Sequence, residues 1–181
     1  MKNKVVIYIL VFTLFSCANS IPRKPIVRKT TSLMKESVSF NKSLNKLEED
    51  KFKEIIKNDS LNIYHASPSG FWYKFNNQNS SGYLPQRGDN LIFTYEVYDI
   101  DNNIIYTKGE IGKQTYVVDK QEIIEGLRNG LKLMGEGDNV TFLFPSHKVF
   151  GYLGDQKKIG VNQPLIYKVQ LNKINKQNES N

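Results

Sequence analysis

The hydrophobic pattern changes period several times along the chain. Val5 to Phe15 is apolar except for Thr13; it follows Lys2 and Lys4 and ends at Ser16-Cys17. A charged start and a short apolar run are the layout of an export signal, too short for a bilayer-spanning helix of about 20 residues. Residues 17–35 contain Pro22, Pro25, Arg23, Lys24, Arg28, Lys29 and Lys35, show no sustained period, and read as an extended tether. Over residues 36–60 the period becomes helical. Phe40, Leu44, Leu47, Phe52, Ile55 and Ile56 form a stripe, and Glu48, Glu49, Asp50, Lys51, Lys53 and Glu54 fill the other faces. This amphipathic helix is expected to pack on the following domain, with pairing to a second copy as the alternative.

Residues 61–86 read as a leading strand, Phe71 to Phe75, and a polar loop. Leu91, Phe93, Tyr95 and Val97 then alternate, which places them on one face of a strand. The turn Asp101-Asn102-Asn103 precedes short strands at Ile104 to Thr107 and Thr115 to Val118. Ile123, Ile124, Leu127, Leu131 and Met134 return to helical spacing, stopped by Gly135 and Gly137. Gly126 and Gly130 each cost about 1 kcal/mol relative to alanine inside a helix, so their presence points to close approach to a sheet. Val140, Phe142 and Phe144 alternate, and so do Leu165, Tyr167, Val169 and Leu171. The long loop between them, Ser146 to Pro164, is expected to be functional. The expected class is α+β: a twisted antiparallel β-sheet wrapped around one short helix over residues 87–174, preceded by the N-terminal amphipathic helix and followed by a polar tail, 175–181.

Composition narrows the chemistry. With 39% hydrophobic and 24% charged residues the chain is ordinary globular material. The net charge of +7 includes Lys2 and Lys4 of the leader, and the remaining cations are scattered, so no nucleic-acid partner is expected. One cysteine excludes an internal disulfide, and two histidines, His65 and His147, offer little for a metal cage. No cofactor is implied, and neither histidine has an evident catalytic partner.

Leu14-Phe15-Ser16-Cys17 resembles the lipobox of bacterial lipoproteins. The resemblance implies cleavage of residues 1–16, lipidation of Cys17, and membrane attachment through its acyl chains, each buried methylene contributing about 0.8 kcal/mol. An ordinary secretory peptide, or a core strand with a buried thiol, is the alternative. No acidic residue occurs between Cys17 and Glu36. Because surface-exported lipoproteins of the Bacteroidetes carry an acidic tether there, a periplasm-facing outer-membrane anchor is favoured.

Further strings carry a second resemblance. They are Arg87-Gly88-Asp89, Ile123-Ile124-Glu125-Gly126-Leu127 with Gly130-Leu131, Val149-Phe150-Gly151, and Leu165 to Leu171. In this order they resemble the FKBP-type peptidyl-prolyl cis-trans isomerases. The resemblance implies a pocket with Tyr95, Ile124, Phe150 and Tyr167 as its catalytic set and Ile105, Tyr106, Tyr116, Ile123, Leu127 and Ile159 as substrate-binding residues. Three departures stand out: Ile105-Tyr106 replaces the family's Phe-Asp pair, Leu127 replaces a tryptophan, and Phe150 replaces a tyrosine. The implied substrates are proline-containing polypeptides of the cell envelope. Tyr64 to Tyr73 resembles the segment before the isomerase domain in gliding-motility-associated FKBP-type lipoproteins of the Bacteroidetes. The departures leave a second function open, a binding or chaperone module of an envelope complex.

Overall fold

The computed structural model describes residues 30–79 and 82–177. The leader, Cys17 and its lipobox, the tether up to residue 29 and the end of the polar tail lie outside them. The first element, α1, spans Thr30–Asn58. It begins within the segment read as tether, because no proline or glycine between Pro25 and the end of the helix interrupts it. The compact unit that carries the sheet starts at Ser39, partway along this helix.

Seven strands follow: β1 His65–Ser67, β2 Phe71–Asn77, β3 Asn90–Tyr98, β4 Ile104–Tyr106, β5 Gln114–Val117, β6 Asn139–Phe144 and β7 Leu165–Asn175. All pairs are antiparallel, in the order β1-β2-β6-β7-β3-β4, with β5 paired to the first half of β3. Two short helices, α2 Lys108–Ile111 and α3 Glu125–Leu131, lie between strands.

Alternation along the strands gives the sheet two apolar faces. On the first, Phe93 and Val97 of β3, Phe142 and Phe144 of β6, and Leu165, Tyr167 and Val169 of β7 enclose Leu127 and Leu131 of α3. On the second, a row of cross-strand partners, Trp72, Leu143, Ile166 and Tyr98, meets Phe52, Ile55 and Ile56 of α1. Phe52 is 1% exposed, so its burial contributes about 2 kcal/mol. Further up the helix Phe40 and Leu47 stay largely exposed, so the stripe read from the sequence packs only at its C-terminal end. Glu48 adds a polar tie, accepting a hydrogen bond from the Ser146 amide at 3.0 Å in a buried position.

The glycines of α3 let it sit on the sheet. A Cβ on Gly126 would stand 2.9 Å from the Phe144 ring, and one on Gly130 2.9 Å from the Phe142 ring. The helix is shorter than its apolar spacing suggested. Ile124 is its N-cap, with extended backbone (φ −53°, ψ 139°), so Ile123 and Ile124 precede the first turn and their amides stand outside the helical ladder. Met134 lies beyond the last turn and is still fully buried.

Candidate active site

The first face of the sheet opens into a cavity of about 260 Å³ beside the end of β3. Its base is aromatic. Tyr95 of β3 stacks on Tyr167 of β7 (centroids 5.4 Å apart, 23° between planes), with Phe93 stacked behind Tyr95 at 5.9 Å. Phe144 meets Tyr167 edge-on at 5.4 Å. Because β3 and β7 pair with Val97 opposite Tyr167, the Tyr95 and Tyr167 rings are diagonal neighbours, within reach for aromatic side chains. Phe150, Ile159, Tyr106, Val97 and Ile111 form the walls.

The long loop after β6 supplies two of those walls and is ordered by its own backbone. The Asn162 amide donates to the Gly151 carbonyl at 2.8 Å, and the Asp155 amide donates to the Ile159 carbonyl at 3.2 Å. Ile159 is only 4% exposed although it lies in a loop. Gly154, at φ +63°, lets the backbone pass so close that a Cβ there would stand 2.4 Å from the Ile159 carbonyl oxygen.

Asp155 and the three tyrosines of the pocket are fixed in one state at neutral pH. Burial pushes the Tyr95 hydroxyl up. Tyr167 is pushed well up, first by burial and then by Tyr95, Asp155 and Tyr106. Tyr106 is raised chiefly because its hydroxyl donates to Asp155 at 2.5 Å. Burial pulls the Asp155 carboxyl upward, but hydrogen bonds from Tyr106 and from the Ile159 and Lys157 amides outweigh it and leave it below the usual carboxylate range. The cavity therefore holds neutral tyrosines, a fixed carboxylate, Lys157 and apolar walls, with no histidine in its lining. Such a lining offers an apolar aromatic seat with a few fixed polar groups at its edge and is not arranged to move protons.

Tyr95, Tyr106, Phe150, Ile159 and Tyr167 are brought together around this one cavity. The other five positions do not line it. Tyr116 and Leu127 are 1% exposed and sealed in the core, and the Tyr116 hydroxyl is occupied in accepting the Asp119 amide. Ile105, Ile123 and Ile124 are half-buried and packed against the same core. Sequence reasoning missed Val97, Ile111, Asp155 and Lys157. Val97 shares a strand face with Tyr95, and that alternation is the available signal; nothing local marks Asp155, whose partner is 49 residues away.

Two other concavities flank α1. The larger, about 650 Å³, lies on the second face of the sheet and contains the Lys74–Asp59 ion pair; the other, about 310 Å³, lies near His147. His147 is held below the ordinary histidine range, first by burial and then by Lys148. Among the described residues no group of three or more His, Cys, Asp or Glu side chains is placed to hold a metal ion.

Comparison with known proteins agrees with this geometry. The family model for FKBP-type peptidyl-prolyl cis-trans isomerase matches residues 82–172. The chain is 29% identical over 141 residues to a protein of Neisseria meningitidis serogroup B described as a probable FKBP-type peptidyl-prolyl cis-trans isomerase, FkpA, covering 77% of this chain and 51% of that one. It is also 29% identical over 148 residues to the outer membrane protein MIP of Legionella longbeachae, covering 80% of this chain and 61% of that one. The chain thus spans between half and about three-fifths of the length of these curated relatives.

Proposed function

The chain belongs to the FKBP-type peptidyl-prolyl cis-trans isomerase family, and from that membership we propose that it catalyses rotation about Xaa-Pro bonds in exported and envelope polypeptides. The observation that carries the reading is the aromatic cavity itself. Its volume of about 260 Å³ is below the range of about 300–1,000 Å³ usual for drug-sized ligands, and it suits a prolyl ring.

Uncatalysed rotation crosses a barrier of about 18–20 kcal/mol because the amide resonance must be broken. At the perpendicular transition state that resonance is lost, and the charge separation across the amide falls with it. An aromatic cavity walled by Tyr95, Phe150, Ile159 and Tyr167 favours the less polar twisted amide over the planar one, which is differential binding of the transition state. The family resemblance assigns the hold on a substrate carbonyl to the backbone of Ile123 and Ile124, which precede the first turn of α3 and do not line this cavity. No nucleophile and no proton transfer are needed, in keeping with tyrosines held protonated and a carboxylate held ionised.

The cellular setting rests on coarser support. One relative is named as an outer membrane protein, and Leu14-Phe15-Ser16-Cys17 has the form of a lipobox. We read the chain as a lipid-anchored envelope protein facing the periplasm, with clients that include motility proteins on the strength of the Tyr64 to Tyr73 segment. A second reading, a binding module without useful turnover, draws on Phe150, which lines the cavity without a hydroxyl. Refolding of a model protein limited by proline isomerisation separates the two. Acceleration at catalytic concentrations supports the isomerase; suppressed aggregation without acceleration refutes it in favour of the binding module.

A further inference from the structure

The pocket has a carboxylate that the family resemblance does not supply. That resemblance puts an aspartate at position 106, at the end of β4, where this chain has Tyr106. The carboxylate comes instead from the facing loop. One Asp155 oxygen accepts the Tyr106 hydroxyl at 2.5 Å, while the other accepts the Lys157 amide at 2.9 Å and the Ile159 amide at 2.8 Å. A single side chain therefore joins the strand wall of the cavity to the loop wall and shapes the turn that carries Ile159. Outside this tie Lys158 adds a second strap: its ammonium sits 4.8 Å from the centre of the Tyr106 ring, 3.2 Å from the Ile105 carbonyl and 2.5 Å from Glu110.

We propose that Asp155 is the positioning residue of this pocket, clasping Tyr106 to the 155–159 turn so that the seat for the prolyl ring is formed before the substrate arrives. The proposal rests on the isomerase reading for the identity of the ligand. Its chemistry is specific. An ionised Asp155 is an acceptor only, so the Tyr106 hydroxyl must donate to it, which fixes the ring and leaves the phenol oxygen only as an acceptor toward anything entering the cavity. A preformed wall spares the substrate the ordering of a mobile loop, and that saving appears as affinity.

The test uses the full chain with Asp155→Asn, Tyr106→Phe and the double variant. Asparagine keeps an oxygen for the two loop amides but presents an NH2 group to Tyr106, which reverses that one hydrogen bond while preserving shape. With 13Cζ-labelled tyrosine, the Tyr106 signal is identified by its loss in Tyr106→Phe. It should titrate above the ordinary tyrosine value in the wild type and move back toward it in Asp155→Asn. Affinity for the capped peptide Ala-Phe-Pro-Ala, read from chemical-shift titration, should fall about tenfold in each single variant, the scale of a hydrogen bond to a charged group, and no further in the double variant. Unchanged affinity in either single variant, or losses that simply add, would overturn the proposal, as would a Tyr106 titration indifferent to Asp155. A wild type that binds the peptide without accelerating its exchange sinks the isomerase reading and leaves the clasp to be judged by affinity; a wild type that does not bind overturns both.

Discussion

Replacing Gly130 by alanine sets two effects of known sign against each other. In the interior of a helix the substitution gains about 1 kcal/mol of propensity. At this position the new Cβ would stand 2.9 Å from the Phe142 ring. That ring cannot turn aside cheaply: it stacks on Phe144 with centroids 5.2 Å apart and 6° between planes, and it meets Phe71 edge-on at 5.8 Å. Overpacking a well-filled core costs about 1–3 kcal/mol. The net expectation is a loss of about 1 kcal/mol, reaching about 2 kcal/mol if the stacked pair has to move together. Gly109 in α2 is the matched control. It is exposed, and the nearest neighbour of an added Cβ is the Thr107 hydroxyl at 3.8 Å, so alanine there should gain several tenths of a kcal/mol. Urea unfolding followed by the fluorescence of the single tryptophan, Trp72, measures both, with equal m values required for the comparison. A Gly130→Ala protein as stable as the wild type or more so, beside a stabilised Gly109→Ala, would refute the account of how α3 is seated.

Phe150→Tyr restores a hydroxyl at the cavity wall. If it reaches a substrate carbonyl, kcat/KM for an Xaa-Pro peptide should rise about fivefold, the equivalent of about 1 kcal/mol for one net hydrogen bond; an unchanged or lower value would show that the ring serves only as an apolar wall. The pH profile of kcat/KM should be flat between about pH 5 and pH 9, because Tyr95, Tyr106 and Tyr167 are all raised above 10.0 and Asp155 is lowered below 3.8, which moves every shifted pocket group away from that window. A bell-shaped profile would show that a group titrating inside that window governs turnover, contrary to this reading. Asp89 accepts hydrogen bonds from the Tyr83 hydroxyl and the Gln86 and Gln177 amides. Burial pulls its carboxyl upward, but those bonds outweigh it, leaving it below 3.8. The stability it adds is complete above the unfolded value near 3.8 and is lost as pH falls through the lower folded value, so Asp89→Asn should flatten the acid limb of a stability–pH curve.

Where packing is periodic, the sequence is legible. The alternation in β3 and over Tyr167 to Leu171 of β7 marks the inward residues because one face of the pleat is buried there, whereas β6 and the start of β7 bury both faces, with Leu143 and Ile166 under α1; Gly126 and Gly130 announce the helix–sheet contact because an added Cβ would crowd the Phe144 and Phe142 rings. The paired Ile123 and Ile124 mislead: their spacing continues the stripe of α3, yet both precede its first turn and the Ile124 backbone is extended, since burial is satisfied equally by the residues just before a helix. β1 has three residues and no alternation to read. α2 starts at Lys108, directly after Thr107, which the strand pattern includes; the Thr107–Glu110 capping box that sets it is a local signal too short to stand out in the sequence. The largest gap is Asp155. In a lysine-rich loop it reads as a solvated charge; its partner Tyr106 stands on the other wall, and only the closed fold brings them to 2.5 Å. The five pocket positions that face the cavity and the five that do not share one apolar chemistry, so residue type alone does not sort them.

The central claim is turnover at the aromatic cavity, and cis–trans exchange of a panel of Xaa-Pro peptides, measured by NMR with the wild type and a Tyr95→Ala/Phe150→Ala variant, tests it most directly. Exchange accelerated by the wild type and lost in a variant that remains folded is the predicted result; no acceleration anywhere on the panel by a folded wild type would contradict it.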